Sequence, residues 1–186
     1  MKKRFGLDID GTVTCPTSFI SYINKDFNKK FSFDEITQYD LSRLLKITPE
    51  QFLNWLRNKE KEIYTNAPLA KKVKETLAHW EQDHELYYIS ARGSHLHEVT
   101  EEWFTKMLLP YDHIELIGKH NKIETIKHHD IDIFFEDKHD NACNIAEECK
   151  IPVLLMDTPY NRDPIPKQVI RVKNWTEARK WVEKWL

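Results

Sequence analysis

Six short runs rich in β-branched and aromatic residues constrain the fold of this chain more than any other feature. They lie at 5–9, 86–90, 114–117, 131–135, 153–156 and 169–172. Most are separated by stretches with helical periodicity. Strands that alternate with helices predict a parallel sheet covered by helices on both faces, an α/β fold. The run Ile131-Asp132-Ile133-Phe134-Phe135 is almost continuously apolar, as strands buried on both faces tend to be.

One interval breaks the alternation. Residues 15–66 contain no convincing strand. Two capping boxes stand in their place, Ser32-Phe33-Asp34-Glu35 and Thr48-Pro49-Glu50-Gln51, the second with proline at the first helical position. Phe52, Trp55, Leu56 and Lys59 then recur at helical spacing. The segment therefore reads as a helical insertion after the first strand, leading through Thr65-Asn66-Ala67-Pro68 into a helix over 69–82.

In an open parallel sheet, ligands bind beyond the carboxyl ends of the strands, so what each run ends on matters. The first ends on Asp8-Ile9-Asp10-Gly11-Thr12-Val13-Thr14. If the strand continues through them, Asp8 and Asp10 share one face. Two carboxylates that close need a nearby positive charge, and a divalent cation such as Mg²⁺ prefers oxygen ligands. The second run ends on Ser90-Ala91-Arg92-Gly93, a hydroxyl, a backbone turn and a guanidinium suited to an anion. Ahead of the fourth run, Lys119-His120-Asn121-Lys122-Ile123-Glu124 opens a helix, with Asn121 as the expected N-cap. Lys122 then falls in the first turn, an unfavourable place for a cation unless it faces an anion. Lys119 is the alternative. The fourth run ends on the acidic pair Glu136-Asp137, with Asp140 either capping the next helix or holding a metal-bound water.

These four pieces, in this order, resemble the motifs of the haloacid dehalogenase-like (HAD) phosphatases. The resemblance covers the frame from Phe5 to about Asp140. It implies a Rossmann-like core of residues 1–14 and 67–186, with residues 15–66 as a small helical cap. It implies a Mg²⁺-dependent phosphomonoester hydrolase in which Asp8 is the nucleophile and Asp10 the general acid/base. Thr12, Ser90, Ala91, Arg92 and Lys122 would bind phosphate. Asp8, Asp137 and the backbone carbonyl of Asp10 would hold Mg²⁺, with Glu136 contributing through water or behind the ligands.

The cap and the Asn66-Ala67-Pro68 passage resemble the 5′(3′)-deoxyribonucleotidase branch and its bacterial relatives, so the implied substrate is a nucleoside monophosphate. Sugar phosphates are the alternative, and a catalytically idle phospholigand-binding domain is a third reading. Members of that branch continue the first motif with Ala-Asp-Phe, whose aromatic helps hold the base. This chain has Thr14-Cys15-Pro16 there. Phe19, Tyr22, Tyr39 and Trp55 offer a stacking surface or the cap's own core.

Composition excludes several other classes. Lys and Arg total 28 against 30 Asp and Glu, a net charge of −2, which argues against a nucleic-acid polymer as partner. No apolar run reaches the length of a membrane span. Asp8 and Asp10 interrupt the apolar stretch that a secretion signal beginning Met1-Lys2-Lys3-Arg4 would need. Cys15, Cys143 and Cys149 form no paired-cysteine motif, and a reduced, cytoplasmic setting is expected. The nine histidines, including His95, His97, His128 and His129, lack the spacing of a helical zinc pair, so no metal role is expected of them. From Asn174 onward, Ala178, Trp181, Val182, Trp185 and Leu186 mark one apolar face, that of a terminal helix docked on the core or of a homodimer interface.

Overall fold

The computed structural model describes residues 1–186. All six expected strands form: β1 (Arg4–Leu7), β2 (Glu85–Ser90), β3 (His113–Leu116), β4 (Ile133–Glu136), β5 (Val153–Met156) and β6 (Val169–Val172). They make one wholly parallel sheet in the order β3-β2-β1-β4-β5-β6. The chain builds outward from β1 to β3, then crosses back to place β4 on the other side of β1. That reversal opens a crevice beyond the carboxyl ends of β1 and β4.

Alternating side chains divide the core in two. Phe5, Leu7, Phe135 and Leu154 face one layer, covered by α4 (Val73–Trp80), α5 (His97–Met107) and α8 (Trp175–Trp185). Ile89, Phe134, Val153 and Leu155 face the other, covered by α6 (Ile123–His128) and α7 (His139–Cys149). Trp80, Phe135 and Trp175 meet in the larger layer, with the Phe135 and Trp175 rings stacked at 5.5 Å.

The insertion is helical, as expected, with α1 (Ile20–Asp26), α2 (Leu41–Leu45) and α3 (Pro49–Asn66). The Thr48 capping box forms, with Gln51 N donating to Thr48 Oγ1 at 3.2 Å and Thr48 N to Gln51 Oε1 at 2.9 Å. The Ser32 box opens only a single tight turn, Phe33–Glu35. The two ends of the insertion meet in a short antiparallel bridge between Thr14 and Leu69. Cys15 N donates to Pro68 O at 2.7 Å and Ala70 N to Val13 O at 2.9 Å. This bridge uses the backbone of Leu69 and Ala70, and Lys72 takes a left-handed φ of 71°. The helix expected over 69–82 therefore starts only at Val73.

The terminal helix docks on the core through Trp175, Ala178 and Val182. Leu186 is exposed and leaves the expected apolar face. The three cysteines are unpaired. No helix is long and apolar enough to cross a membrane.

Candidate active site

β1 ends one residue before Asp8, whose amide still donates to Phe135 O at 2.9 Å. Residues 9–13 then coil into a wide turn closed by Thr14 N donating to Ile9 O at 2.9 Å. The expectation that Asp8 and Asp10 are alternate residues of one strand is thus corrected, because Asp10 belongs to the turn. Gly11, at φ +80°, makes the turn possible. Any Cβ there would collide with the Asp137 carboxylate.

Lys122 is the centre of charge. It is almost fully buried and donates to Asp8 Oδ1 at 2.6 Å and to Glu136 Oε2 at 2.8 Å. It stands one residue before α6 and not in its first turn; Asn121 Oδ1 instead accepts from Ile123 N at 3.1 Å. Lys119 is exposed and pairs with Glu124 at 3.4 Å.

Glu136 ends β4 and Asp137 follows it, both buried. Oxygens of Asp8, Glu136 and Asp137 lie within 4.8 Å of one another. Tyr160 donates its hydroxyl to Asp137 Oδ2 at 2.6 Å, and Asn161 Nδ2 donates to the Asp137 carbonyl at 2.6 Å. Asp137 Oδ1 is buried without a partner.

Burial pushes the Asp8 carboxyl up to about 7, with Lys122 opposing and Glu136 and Asp10 adding to the rise. Burial also drives Asp137 well above the ordinary carboxylate range, helped by Glu136 and Asp8. For Lys122 burial acts downward, but Asp8 and Glu136 outweigh it and hold the ammonium above its usual value. Three buried carboxylates around one ammonium, with one oxygen unpartnered, suit a divalent cation with oxygen ligands.

Arg92 is not directed at open space. Its Nε donates to Asp10 Oδ2 at 2.8 Å and its Nη2 to Asp10 Oδ1 at 2.7 Å. Nη1 reaches Thr100 Oγ1 at 3.0 Å, and the guanidinium lies 4.0 Å from the centre of the Tyr64 ring. The fork expected to hold a substrate anion is occupied by Asp10. Ser90 is buried at the end of β2, and its Oγ accepts from Arg92 N at 3.2 Å. The Thr12 hydroxyl is buried and unpartnered, while the Thr12 carbonyl accepts from Trp175 Nε1 at 3.0 Å. Asp140 is exposed, sits inside α7 and pairs with His139 at 3.2 Å, so it is neither the N-cap nor part of the acidic cluster.

A cavity of about 400 Å³ opens above these groups. Asp8, Asp10, Ser90, Ala91, Lys122 and Asp137 line its floor. Phe19, Ile23, Ile36, Phe52 and Leu56 of the insertion form an apolar roof, with Tyr39 at its edge. Of the four aromatics singled out in the sequence, Phe19 and Tyr39 reach the cavity. Trp55 instead packs on Phe27 and Phe52 and donates to Asp26 Oδ2 at 2.9 Å, and Tyr22 packs with the Ile63 and Tyr64 cluster. Sequence reading missed Tyr64 and Tyr160. Tyr160 sits in a loop after β5 with no local pattern to mark it.

Residues 3–185 match the family model described as 5′ nucleotidase, deoxy (pyrimidine), cytosolic type C protein. The chain belongs to this family. It is 56% identical over 185 residues to "Putative nucleotidase BH1399" of Halalkalibacterium halodurans, covering 100% of this chain and 95% of the relative. It is 48% identical over 179 residues to "Putative nucleotidase YqfW" of Bacillus subtilis, covering 96% and 93%. Among solved structures, the HAD-like hydrolase SP0104 of Streptococcus pneumoniae superposes with a TM-score of 0.69 at 12% identity, over 97% of this chain and 98% of that one. The "putative HAD-hydrolase YfnB from Bacillus subtilis bound to magnesium" superposes with a TM-score of 0.67 at 12% identity, over 98% of this chain and 99% of that one. The fold is HAD-like, and membership of this nucleotidase family makes the chain a phosphoric monoester hydrolase.

Proposed function

We propose that this family member is a Mg²⁺-dependent 5′-nucleotidase that hydrolyses (deoxy)ribonucleoside monophosphates through an aspartyl-phosphate on Asp8. The observation that carries this reading is the convergence of Asp8, Lys122 and Asp137 beneath an apolar roof. The phosphate lies on the charged floor, and the nucleoside occupies the roof formed by residues 15–66. Those residues act as a cap on the core of residues 1–14 and 67–186, hinged at the Thr14–Leu69 bridge.

Asp8 attacks phosphorus, forming an Asp8 oxygen–phosphorus bond as the bond to the nucleoside oxygen breaks. Asp10 delivers a proton to that departing oxygen. Asp10 then takes a proton from water, whose oxygen attacks phosphorus and releases Asp8 and inorganic phosphate. Lys122 neutralises phosphoryl charge from the Asp8 side, and Ser90 and the amide of Ala91 hold the remaining oxygens; Thr12 is buried beneath the floor and does not line the cavity. Asp8, Asp137 and the Asp10 carbonyl would hold Mg²⁺, which supplies further neutralisation of the transferring group. Glu136 holds Lys122 in place.

A panel of nucleoside monophosphates and sugar phosphates, assayed with and without Mg²⁺, tests the reading. Nucleoside monophosphates should be preferred, and only with Mg²⁺. A clear preference for sugar phosphates overturns the substrate assignment. Asp8→Asn should remove turnover while leaving the fold intact by circular dichroism; normal turnover by that variant overturns the nucleophile assignment.

A further inference from the structure

A second cluster of metal-ligating side chains lies away from the cavity. His113 opens β3, Glu115 follows two residues on, and His129 closes α6. The period of two in a strand places His113 and Glu115 on the same face. α6 runs back against the sheet and delivers His129 to that face. Glu115 Oε2 is the meeting point, 2.8 Å from His129 Nε2 and 3.5 Å from His113 Nε2. All three donor atoms fall within 4.8 Å of one another. None of the three residues lines the catalytic cavity.

We propose that His113, Glu115 and His129 form a binding site for a borderline divalent transition metal, Zn²⁺ foremost. Two imidazole nitrogens and one carboxylate oxygen are a ligand set that zinc accepts, with water in the fourth position. Tetrahedral ligands about 2.1 Å from the metal stand about 3.4 Å apart. The His113–Glu115 separation of 3.5 Å already matches this. The 2.8 Å hydrogen bond has to open by about 0.6 Å to reach that separation, and the half-exposed His113 ring has to swing inward.

Neighbouring contacts keep the two rings close to each other. Tyr87, opposite His113 in the strand register, packs 5.6 Å from His113 and 5.2 Å from His129. The two imidazoles lie 4.7 Å apart. Arg4 Nη1 donates to the His129 carbonyl at 2.9 Å and fixes the end of α6. A simple ion pair would need only one histidine on Glu115; the second nitrogen is aimed at the same oxygen at a distance too long for a good hydrogen bond. The cluster leaves one side open to water, because side-chain exposures of His113 and Glu115 are 41% and 37%. Mg²⁺ prefers a full oxygen shell and does not suit this ligand set. A bound ion would clasp β3, an edge strand, to the helix that begins beside Lys122.

The test uses the full chain, stripped with a chelator and kept in saturating Mg²⁺ so that the acidic site is occupied. Zn²⁺ is titrated by calorimetry and by thermal melting. The wild type should bind one Zn²⁺ more than the double variant His113→Ala, His129→Ala, and only the wild type should gain melting temperature through this site. Co²⁺ should give a visible absorption band of four-coordinate character that His129→Ala removes. The single variant His113→Ala, at a half-exposed position, guards against a folding defect and should also lose the extra ion. Mg²⁺-dependent hydrolysis should be unchanged in every variant. Equal Zn²⁺ stoichiometry and affinity in wild type and variants overturns the proposal.

Discussion

At the scale of single residues, the pairing of Arg92 with Asp10 is the least expected contact in the site. A guanidinium that donates two hydrogen bonds to one carboxylate fixes both its position and its orientation. Stacked on Tyr64 and tied to Thr100, Arg92 has little freedom, and Asp10 inherits that rigidity. Arg92 thus acts as a positioning residue for the proposed acid/base. Arg92→Lys keeps the charge and loses the fork. Its turnover on alkyl phosphates should fall, by at most the whole acid/base contribution of about 10²–10⁴-fold. In a single turnover, first-step release of nitrophenolate from a nitrophenyl ester, whose leaving group needs no proton, should fall much less, while the later hydrolysis of the aspartyl-phosphate still needs Asp10. An equal loss in the single-turnover rates of both esters would show that Arg92 supports the fold and not Asp10. Gly11 is the other demanding position. Gly11→Ala combines an unfavourable φ with a collision against Asp137. Stability should fall by about 1–3 kcal/mol in urea melts, with loss of activity as the carboxylate is displaced.

At the scale of elements, the six strands were legible because buried β-branched and aromatic runs leave few alternatives. The positions of Asp8, Ser90 and Asp137 followed directly, since each closes or follows a strand. What the sequence concealed were partners brought together by tertiary contact. The pair of Arg92 and Asp10 spans 82 residues, and the hydroxyl of Tyr160 reaches Asp137 from a loop with no motif. Local signals also failed where a long-range contact competed. The Thr14–Leu69 bridge took the residues that helical periodicity had assigned to α4. α3 was the opposite case: its capping box and proline fixed its start, and its apolar positions include Phe52 and Leu56 in the cavity roof. That roof should matter to a nucleoside and not to a small ester. Leu56→Ala should raise KM for nucleoside monophosphates by about tenfold, as expected for about 1–2 kcal/mol of lost apolar contact. Its kinetics on phenyl phosphate should be nearly unchanged. Equal KM changes on both substrates would remove the roof from substrate binding.

At the scale of the molecule, the site opposes the stability of the fold that carries it. The two packed layers supply ample apolar burial, yet Asp8, Glu136 and Asp137 are buried around the single ammonium of Lys122. Like charges at this spacing in a poorly solvated crevice destabilise the folded chain. A cation bound only by the folded state offsets that repulsion and stabilises by mass action. The metal-free protein should therefore melt at a lower temperature than the protein in millimolar Mg²⁺, and a chelator should reverse the gain. Asp137→Asn separates the two effects. The amide oxygen can still accept from Tyr160, so packing is preserved while one buried charge is removed. The variant should melt higher than the metal-free wild type, show little further gain with Mg²⁺, and lose hydrolysis. If it melts lower than the metal-free wild type, the repulsion argument fails. If it still gains as much from Mg²⁺, Asp137 is not the residue through which the cation stabilises the fold.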